Sequence, residues 1–234
     1  MLRLSNDMAR AYTEPLASNL AGGMVWPISF ADVEPGGARL KREFDIVVAA
    51  VLLLLALPVI LLAIVLIKAT SSGPAFFVQR RIGHQAREFN MYKLRTMVAG
   101  AERQEDQLAK QLRGRTFLKL RNDARITRVG RILRKFSIDE LPQFWNVLRG
   151  DMSLVGPRPL LVCDFQKFPR AEQLRRFVML PGITGLWQVS GRDACTDEQR
   201  IALDLAYVDK WSFLLDLKLL CRTLPVVISG SNAG

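Results

Sequence analysis

The chain has 234 residues, half of them apolar, with 33 Lys/Arg against 22 Asp/Glu and a formal net charge of +11. That is enough for one sizeable domain with accessories, and the basic excess asks for an anionic partner: nucleic acid, anionic lipid or a phosphorylated substrate. A single histidine, His84, and three scattered cysteines (Cys163, Cys195 and Cys221, with no C-x-x-C pair) argue against a histidine triad, a His-rich metal centre and a disulfide framework, which leaves chemistry to carboxylates, Lys, Arg, Tyr or Ser.

Residues 1–40 mix Gly, Pro and small polar residues and read as a poorly ordered N-terminal tail. They carry no secretory pattern, because the apolar run starts only at residue 46 and lacks a small-residue cleavage site. Residues 46–67, "IVVAAVLLLLALPVILLAIVLI", hold no charge. As one helix this run is about 33 Å long, enough for a hydrocarbon core of about 30 Å. Pro58 inside it removes one backbone hydrogen bond and predicts a kink. Two topologies follow: a kinked spanning helix, or a helix–break–helix that enters and leaves by one face. Arg39, Lys41 and Arg42 precede the run, and Lys68, Arg80, Arg81 and Arg87 follow it. Basic flanks favour the cytoplasm, and here both ends are basic, which tilts the reading toward re-entry. The whole basic excess lies beyond residue 67, where 28 Lys/Arg face 16 Asp/Glu.

After the run, "SSGPAFF" (71–77) is a turn entering an extended segment, and 88–97 ("EFNMYKLRTM") alternates as a strand does. Residues 101–112 read as a polar helix. Arg125, Arg128, Arg131 and Arg134 recur every three residues, which gathers them along one helical face. Segments 152–161 and 180–192 read as loops punctuated by Gly and Pro. Residues 197–228 read as helical, with an apolar cluster at Trp211, Phe213, Leu214 and Leu215 that suits either an interfacial face or core packing.

At the end of the basic run stands "FSIDELPQF" (136–144), with Asp139 and Glu140 side by side. Leu141, Phe144, Trp145 and Leu148 fall on one helical face, and Gly150 is a natural stop. Ser137 with Glu140 three residues on matches a capping box, whereas Pro142 suits a helix that starts there. In either register Asp139 lies near a positive helix end, which favours its ionised form. An ionised Asp needs no base in order to attack phosphorus, but it needs cations to offset its repulsion from phosphate. A chain poor in histidine and rich in arginine suits that chemistry. A membrane-tethered basic module that binds nucleic acid or anionic lipid without catalysis is the competing interpretation.

The segments 41–68, "QRRIG" (79–83), "MYKLRTM" (91–97), "SIDELPQFWNVLRGDMSLVGPRPL" (137–160) and "PGITGLWQVSGR" (181–192), taken in this order, resemble the bacterial sugar transferase family, the monotopic polyprenyl-phosphate phosphoglycosyl transferases. The resemblance is to the small catalytic-unit form, similar to exopolysaccharide-initiating hexose-1-phosphate transferases. It implies a fold that is mainly α with a small β component, one re-entrant hydrophobic helix (41–68) broken at Pro58, interfacial amphipathic helices, and a cytoplasmic catalytic domain over 69–234 on the bacterial inner membrane. It also implies that Asp139 is a nucleophile toward the sugar-bearing phosphorus of a UDP-sugar and a ligand of a required Mg²⁺. UMP is released, an aspartyl phosphosugar forms, and polyprenyl (undecaprenyl) phosphate accepts the phosphosugar. Glu140 is the second member of the dyad, and Lys93, Arg134 and Arg158 match positions near the phosphates. The implied partners are the UDP-sugar, the polyprenyl phosphate and membrane lipids, with no nucleic acid; a homo-oligomer stays open. The chain departs from the family pattern at Leu180 (usually Arg), Ala86 (commonly Gly) and Leu57 (Ser in some relatives).

Overall fold

A computed structural model describes residues 37–101, 123–162, 171–190 and 196–228. Most of the tail, all but Ala101 of the polar helix expected over 101–112, Cys163, Cys195 and the end of the "SGR" motif lie outside the described residues.

Helix α1 (Ala38–Thr70) begins at Gly37, whose φ of 98° only glycine adopts freely, and ends where Ser71 turns extended. The helix therefore starts a few residues earlier than the apolar pattern alone suggests, and it runs as one helical segment through Pro58. Its buried positions are Lys41, Asp45, Ala49, Ala56, Ile60, Ala63 and Ile67, a single stripe at helical spacing. Three of the seven are alanines, which lets neighbouring elements approach closely. The other faces are apolar and exposed, with Val47, Val51, Leu54, Leu55, Leu61, Leu62 and Val65 each more than half accessible. The helix is long and apolar enough to cross a membrane, and only 22% of its most apolar window is buried within the protein.

One body grips α1 on both sides of Pro58. Strand β1 (Phe76–Ile82) and strand β2 (Glu88–Leu94) form an antiparallel hairpin, and strand β4 (Leu160–Leu161) adds to the other edge of β1. Helix α2 (Arg128–Lys135) supplies Leu133, which joins Leu94, Ala75 and the C-terminal half of the α1 stripe in one apolar cluster. Helix α3 (Gln143–Arg149), strand β3 (Ser153–Val155), helix α5 (Asp197–Asp209) and helix α6 (Phe213–Ile228) build the main core around Val147, Leu154, Val155, Tyr207 and Leu219. That core takes in Ala49 from the N-terminal half of α1. Strand β5 (Gly182–Thr184) runs parallel to β3 and leads into the short helix α4 (Leu186–Val189).

The segments expected to be loops prove to be paired. A Cβ on Gly182 would lie 2.0 Å from the Gly156 nitrogen, and one on Gly156 would lie 2.3 Å from the Leu180 carbonyl oxygen. The "VGPRP" and "PGITG" motifs therefore pack backbone against backbone, tied by Gly156 N–H to the Thr184 carbonyl and Gly182 N–H to the Pro157 carbonyl, both 2.9 Å. In the same way "YKLRTM" meets α2. Thr127 caps that helix through the Gly130 N–H, and its own N–H donates to the Thr96 carbonyl.

Two features expected to act through charge act through structure instead. Lys41 is buried, with its Nζ 2.6 Å from Asp216 Oδ2 and 3.0 Å from the Val155 carbonyl. Arg42 donates to the Val147 and Leu148 carbonyls at the C-terminal end of α3, where a cation is favoured. These two are docking groups rather than open flanking charges. The arginine stripe also splits up. Arg125 precedes α2 and pairs with Asp123, Arg128 and Arg131 are exposed, and only Arg134 turns inward. A repeat of three drifts around a helix whose turn takes 3.6 residues, so the four side chains do not share one direction. The 211–215 cluster divides as well: Trp211 donates to Asp216 and Phe213 packs edge-on against Phe44, whereas Leu214 is 60% exposed.

Ala86 has a φ of 55°, in the left-handed region that disfavours any residue with a Cβ. A glycine there, as in the family pattern, relieves this strain. Ala86→Gly is expected to stabilise the fold by about 0.5–1 kcal/mol, measured as a raised thermal midpoint in detergent. A lowered midpoint would show that this turn is not under strain.

Candidate active site

The chain leaves α2 through Ser137, whose φ of 53° reverses its direction. Positive φ costs a non-glycine residue of the order of 1 kcal/mol, and such strain is concentrated at functional sites. The reversal leads into a single 3₁₀ turn, Ile138–Glu140, separate from α3. The capping-box expectation fails here. Ser137 makes no side-chain cap, and Glu140 reaches away from the helix start to Lys93, with Oε1 2.7 Å from Nζ. The helix that follows starts at Gln143 after Pro142 and stops at Gly150 with φ 91°, as the pattern predicted.

The face of α3 is offset from the expected one. Gln143, Asn146 and Val147 are buried, Phe144 and Leu148 pack at the edge of the core, and Trp145 stays half exposed. The reason is polar. Asn146 is fully buried because its side chain accepts from Tyr92 N–H and donates to the Asn90 carbonyl and to Asp151, locking α3 to β2. That lock fixes the position of Lys93, one residue past Tyr92.

Asp139 is buried, at 8% exposure. Burial and the neighbouring Glu140 charge push its carboxyl up to about 6, while Lys93 and Arg134 pull it down. The expectation that a helix start would favour the ionised form is therefore outweighed. Asp139 sits in its own short turn, and desolvation with a like charge beside it is the stronger influence. Arg134 flanks the pair from α2 and is anchored by donating from Nε to Thr96 Oγ1 at 2.9 Å.

Beside the dyad lies a cavity lined by Arg81, Lys93, Glu140, Gln143, Arg158 and Gly182, among others. The structure thus brings Lys93, Glu140 and Arg158 to one wall, with Asp139 and Arg134 adjacent but outside the lining. Leu180 does not line the cavity, so its departure from the family pattern removes no wall. Pro58 is exposed on α1 and takes no part in the cavity. Sequence reasoning assigned no site role to Arg81 or Gln143. Period-two alternation along β1 was a usable signal, since it sets Gln79 and Arg81 on one face, and Arg81 donates to the Gln79 side chain and to the Pro159 carbonyl.

Among the described residues no group of three or more His, Cys, Asp or Glu gathers as a metal cage. Two adjacent carboxylates, one of which raises the proton affinity of Asp139, do fit a Mg²⁺ of the kind that takes one or two carboxylates and completes its shell with water and substrate phosphates.

The family model described as bacterial sugar transferase matches residues 37–230. The chain belongs to the bacterial sugar transferase family. It is 42% identical over 205 residues to the exopolysaccharide production protein ExoY of Rhizobium meliloti, covering 83% of this chain and 88% of that protein. It is 44% identical over 200 residues to the UDP-glucose:undecaprenyl-phosphate glucose-1-phosphate transferase of Caulobacter vibrioides, covering 82% and 71%. Against the galactosyl transferase CpsE of Streptococcus agalactiae it is 45% identical over 196 residues, covering 82% of this chain but only 43% of that protein. The part shared with these bacterial sugar transferases is thus the body that carries the dyad and its cavity.

The position of Asp139 has a measurable consequence. Its folded pKa lies above the ordinary value near 4, so the fold is favoured by its protonated form; that contribution is full below about 4 and is lost as pH rises through about 6. Asp139→Asn cannot ionise. It is expected to raise the thermal midpoint at pH 7.5 by the equivalent of about 3 kcal/mol, and to give no gain at pH 3.5. An unchanged midpoint at pH 7.5 would mean that the flanking cations fully offset the burial of the charge.

Proposed function

We propose that this chain is a phosphoglycosyl transferase that moves a sugar 1-phosphate from a UDP-sugar to polyprenyl (undecaprenyl) phosphate. The observation that carries this reading is a buried Asp139 beside the partly buried Glu140, faced by Lys93 and Arg134, next to a cavity walled by Arg81 and Arg158. The names of the relatives in Rhizobium and Caulobacter support the substrate class and a role in exopolysaccharide production, and on the proposed reaction that role is the first membrane step of exopolysaccharide or related glycoconjugate synthesis.

In this mechanism Asp139 uses a carboxylate oxygen to attack the sugar-bearing phosphorus. The bond from that phosphorus to the bridging oxygen breaks, and the bridging oxygen leaves with its electron pair on UMP. An aspartyl phosphosugar remains. An oxygen of polyprenyl phosphate then attacks the same phosphorus and displaces the Asp139 carboxylate, giving a polyprenyl diphosphate sugar. Arg81, Arg158 and Lys93 hold phosphate oxygens and spread their charge. Glu140 orients Lys93 through their 2.7 Å ion pair. Asp139, with Glu140 beside it, is the pair that would hold Mg²⁺, which when bound supplies further charge neutralisation to the phosphates. Burial around Asp139 keeps water from the acyl phosphate.

The membrane reading rests on α1. Its exposed apolar faces call for lipid, and both halves of its buried stripe pack on one body, which supports a re-entrant helix in the inner leaflet with the body on the cytoplasmic side. Exposed Ile132, Phe136, Trp145, Leu214 and Leu224 supply further surface for the interface.

Purified protein is expected to release UMP from at least one UDP-sugar in a panel, only with Mg²⁺ and faster with polyprenyl phosphate, and Asp139→Asn to lower this release at least a thousandfold. A fully active Asp139→Asn would remove Asp139 from the nucleophile role. For topology, cysteines placed at residues 40 and 70 are expected to react with an impermeant reagent from the same, cytoplasmic side. Labelling from opposite sides would make α1 a spanning helix.

A further inference from the structure

We propose that the buried Arg176–Asp204 pair is a positioning device that fixes Arg158 as an anion-holding cation of the cavity. The inference deepens the proposed function, since it takes Arg158 to meet the diphosphate of the nucleotide sugar. Neither Arg176 nor Asp204 lines the cavity.

Arg158 sits on the short turn between β3 and β4, between Pro157 and Pro159. A guanidinium on such a turn holds one direction only if its peptide and its side chain are both held. The backbone of Arg158 is held at both of its peptide groups. Its carbonyl accepts from Arg176 Nη2 at 2.7 Å. Its N–H lies against the Asp204 carboxylate and favours the ionised form there, a contact looser than a full hydrogen bond, since Asp204 Oδ1 has no such partner. The two holding groups pair with each other, each with a side chain 3% exposed. The side chain of Arg158 rests on the ring of Trp187, with the guanidinium carbon 5.5 Å from the ring centroid, and Trp187 is itself buried. One residue upstream of Pro157, the Gly156 contact with β5 leaves the backbone no room to shift.

Stability alone does not account for such a pair. Burying two charges costs more than burying apolar groups of similar size, and apolar replacements of buried ion pairs are often neutral or stabilising. What a charged pair adds is directed hydrogen bonding. Here that bonding reaches the backbone of one residue, the one that carries a cavity cation. Burial pushes the Asp204 carboxyl up to about 6, and the Arg158 charge is among the influences that draw it back down, so the pair and the cavity cation are electrostatically coupled.

The test uses the full chain in nanodiscs, with UDP binding read by isothermal titration and UMP release read in parallel. Asp204→Asn and Arg176→Lys are each expected to weaken UDP binding and to raise KM for the UDP-sugar at least about tenfold, with kcat changed by less than about threefold. In an Arg158→Ala background neither substitution is expected to weaken UDP further by more than about twofold, because the coupled pathway is already gone. A purely structural role would lower the active fraction and kcat and leave KM and the UDP affinity in place. Unchanged UDP affinity in the folded single variants, losses that add to that of Arg158→Ala, or a wild type that does not bind UDP would each overturn the proposal. Arg176→Lys keeps the charge and carries the comparison if Asp204→Asn does not fold. A wild type that binds UDP but releases no UMP from any UDP-sugar would sink the transferase reading while the affinity comparison still decides the clamp; normal UMP release with unaltered variant affinity would sink the clamp alone.

Discussion

The carboxylate of Asp216 is the joint on which the molecule turns. It accepts from Lys41 at the start of α1, from the Tyr207 hydroxyl at 2.7 Å and from Trp211 Nε1 at 3.1 Å, which ties α1, α5 and α6 at one point. Lys41 and Tyr207 both also donate to the Val155 carbonyl, the last residue of β3. Asp45, one turn further along α1, accepts from Ser153 at the start of the same strand. The three residues of β3 are thus held to the foot of the apolar helix by polar bonds at both ends. Losing one member of a buried charge pair costs about 3–5 kcal/mol, because the other is left uncompensated. The helix is therefore tied to this strand at its entrance.

That joint sets the geometry of the site. Beyond Val155 come Gly156, Pro157 and Arg158, so the strand tied to α1 delivers the cavity cation within three residues. Next to that cation in the cavity lining, Asn146 locks α3 to β2, which sets Lys93 against Glu140. Thr96, two residues past β2, is the anchor for Arg134. Each cation near the dyad is fixed by an element that also packs on α1 or on its neighbours. A long helix with exposed apolar faces and a polar site are in this way parts of one rigid arrangement, as the proposed reaction between a soluble nucleotide sugar and a lipid phosphate requires.

What the sequence made legible follows from the range of the signals. The apolar run, Gly150 as a helix stop, the extended segment after 71–77, the strand within 88–97 and the helices after residue 197 are local patterns, and they stand as expected. The dyad and the cations Lys93 and Arg158 were legible because their motifs are specific. The partners were not. Ser137 and Glu140 have the spacing of a capping box, yet Glu140 spends its charge on Lys93, 47 residues away in sequence. Lys41 looked like a topogenic flank, but its partner Asp216 lies 175 residues on. The Gly residues of "VGPRP" and "PGITG" looked like loop punctuation and prove to be places where two backbones touch. Arg176 and Asp204 belong to no motif that was singled out. In each case the deciding contact is long-range, and a periodicity or capping rule cannot see it.

Asp139 shows why the cations must be held so firmly. In the role proposed for it, a nucleophile that forms an acyl phosphate has to be dry, or water would hydrolyse the intermediate. Dryness raises its pKa, here with the help of Glu140 next door, to about 6. One unit below neutrality still leaves about nine-tenths of the carboxylate ionised at pH 7. Further burial without compensation would silence it, and a more solvated Asp would be weaker and exposed to water. Lys93 and Arg134 keep the balance at this point. Both pull the carboxyl down, and both are tethered, to Glu140 and to Thr96, rather than left to follow the substrate. The second carboxylate therefore has two opposed effects on the first: its charge raises the Asp139 pKa directly, and its ion pair holds in place the lysine that lowers it. A dyad of adjacent acids is intelligible on these terms as a setting in which one carboxylate stays both buried and reactive.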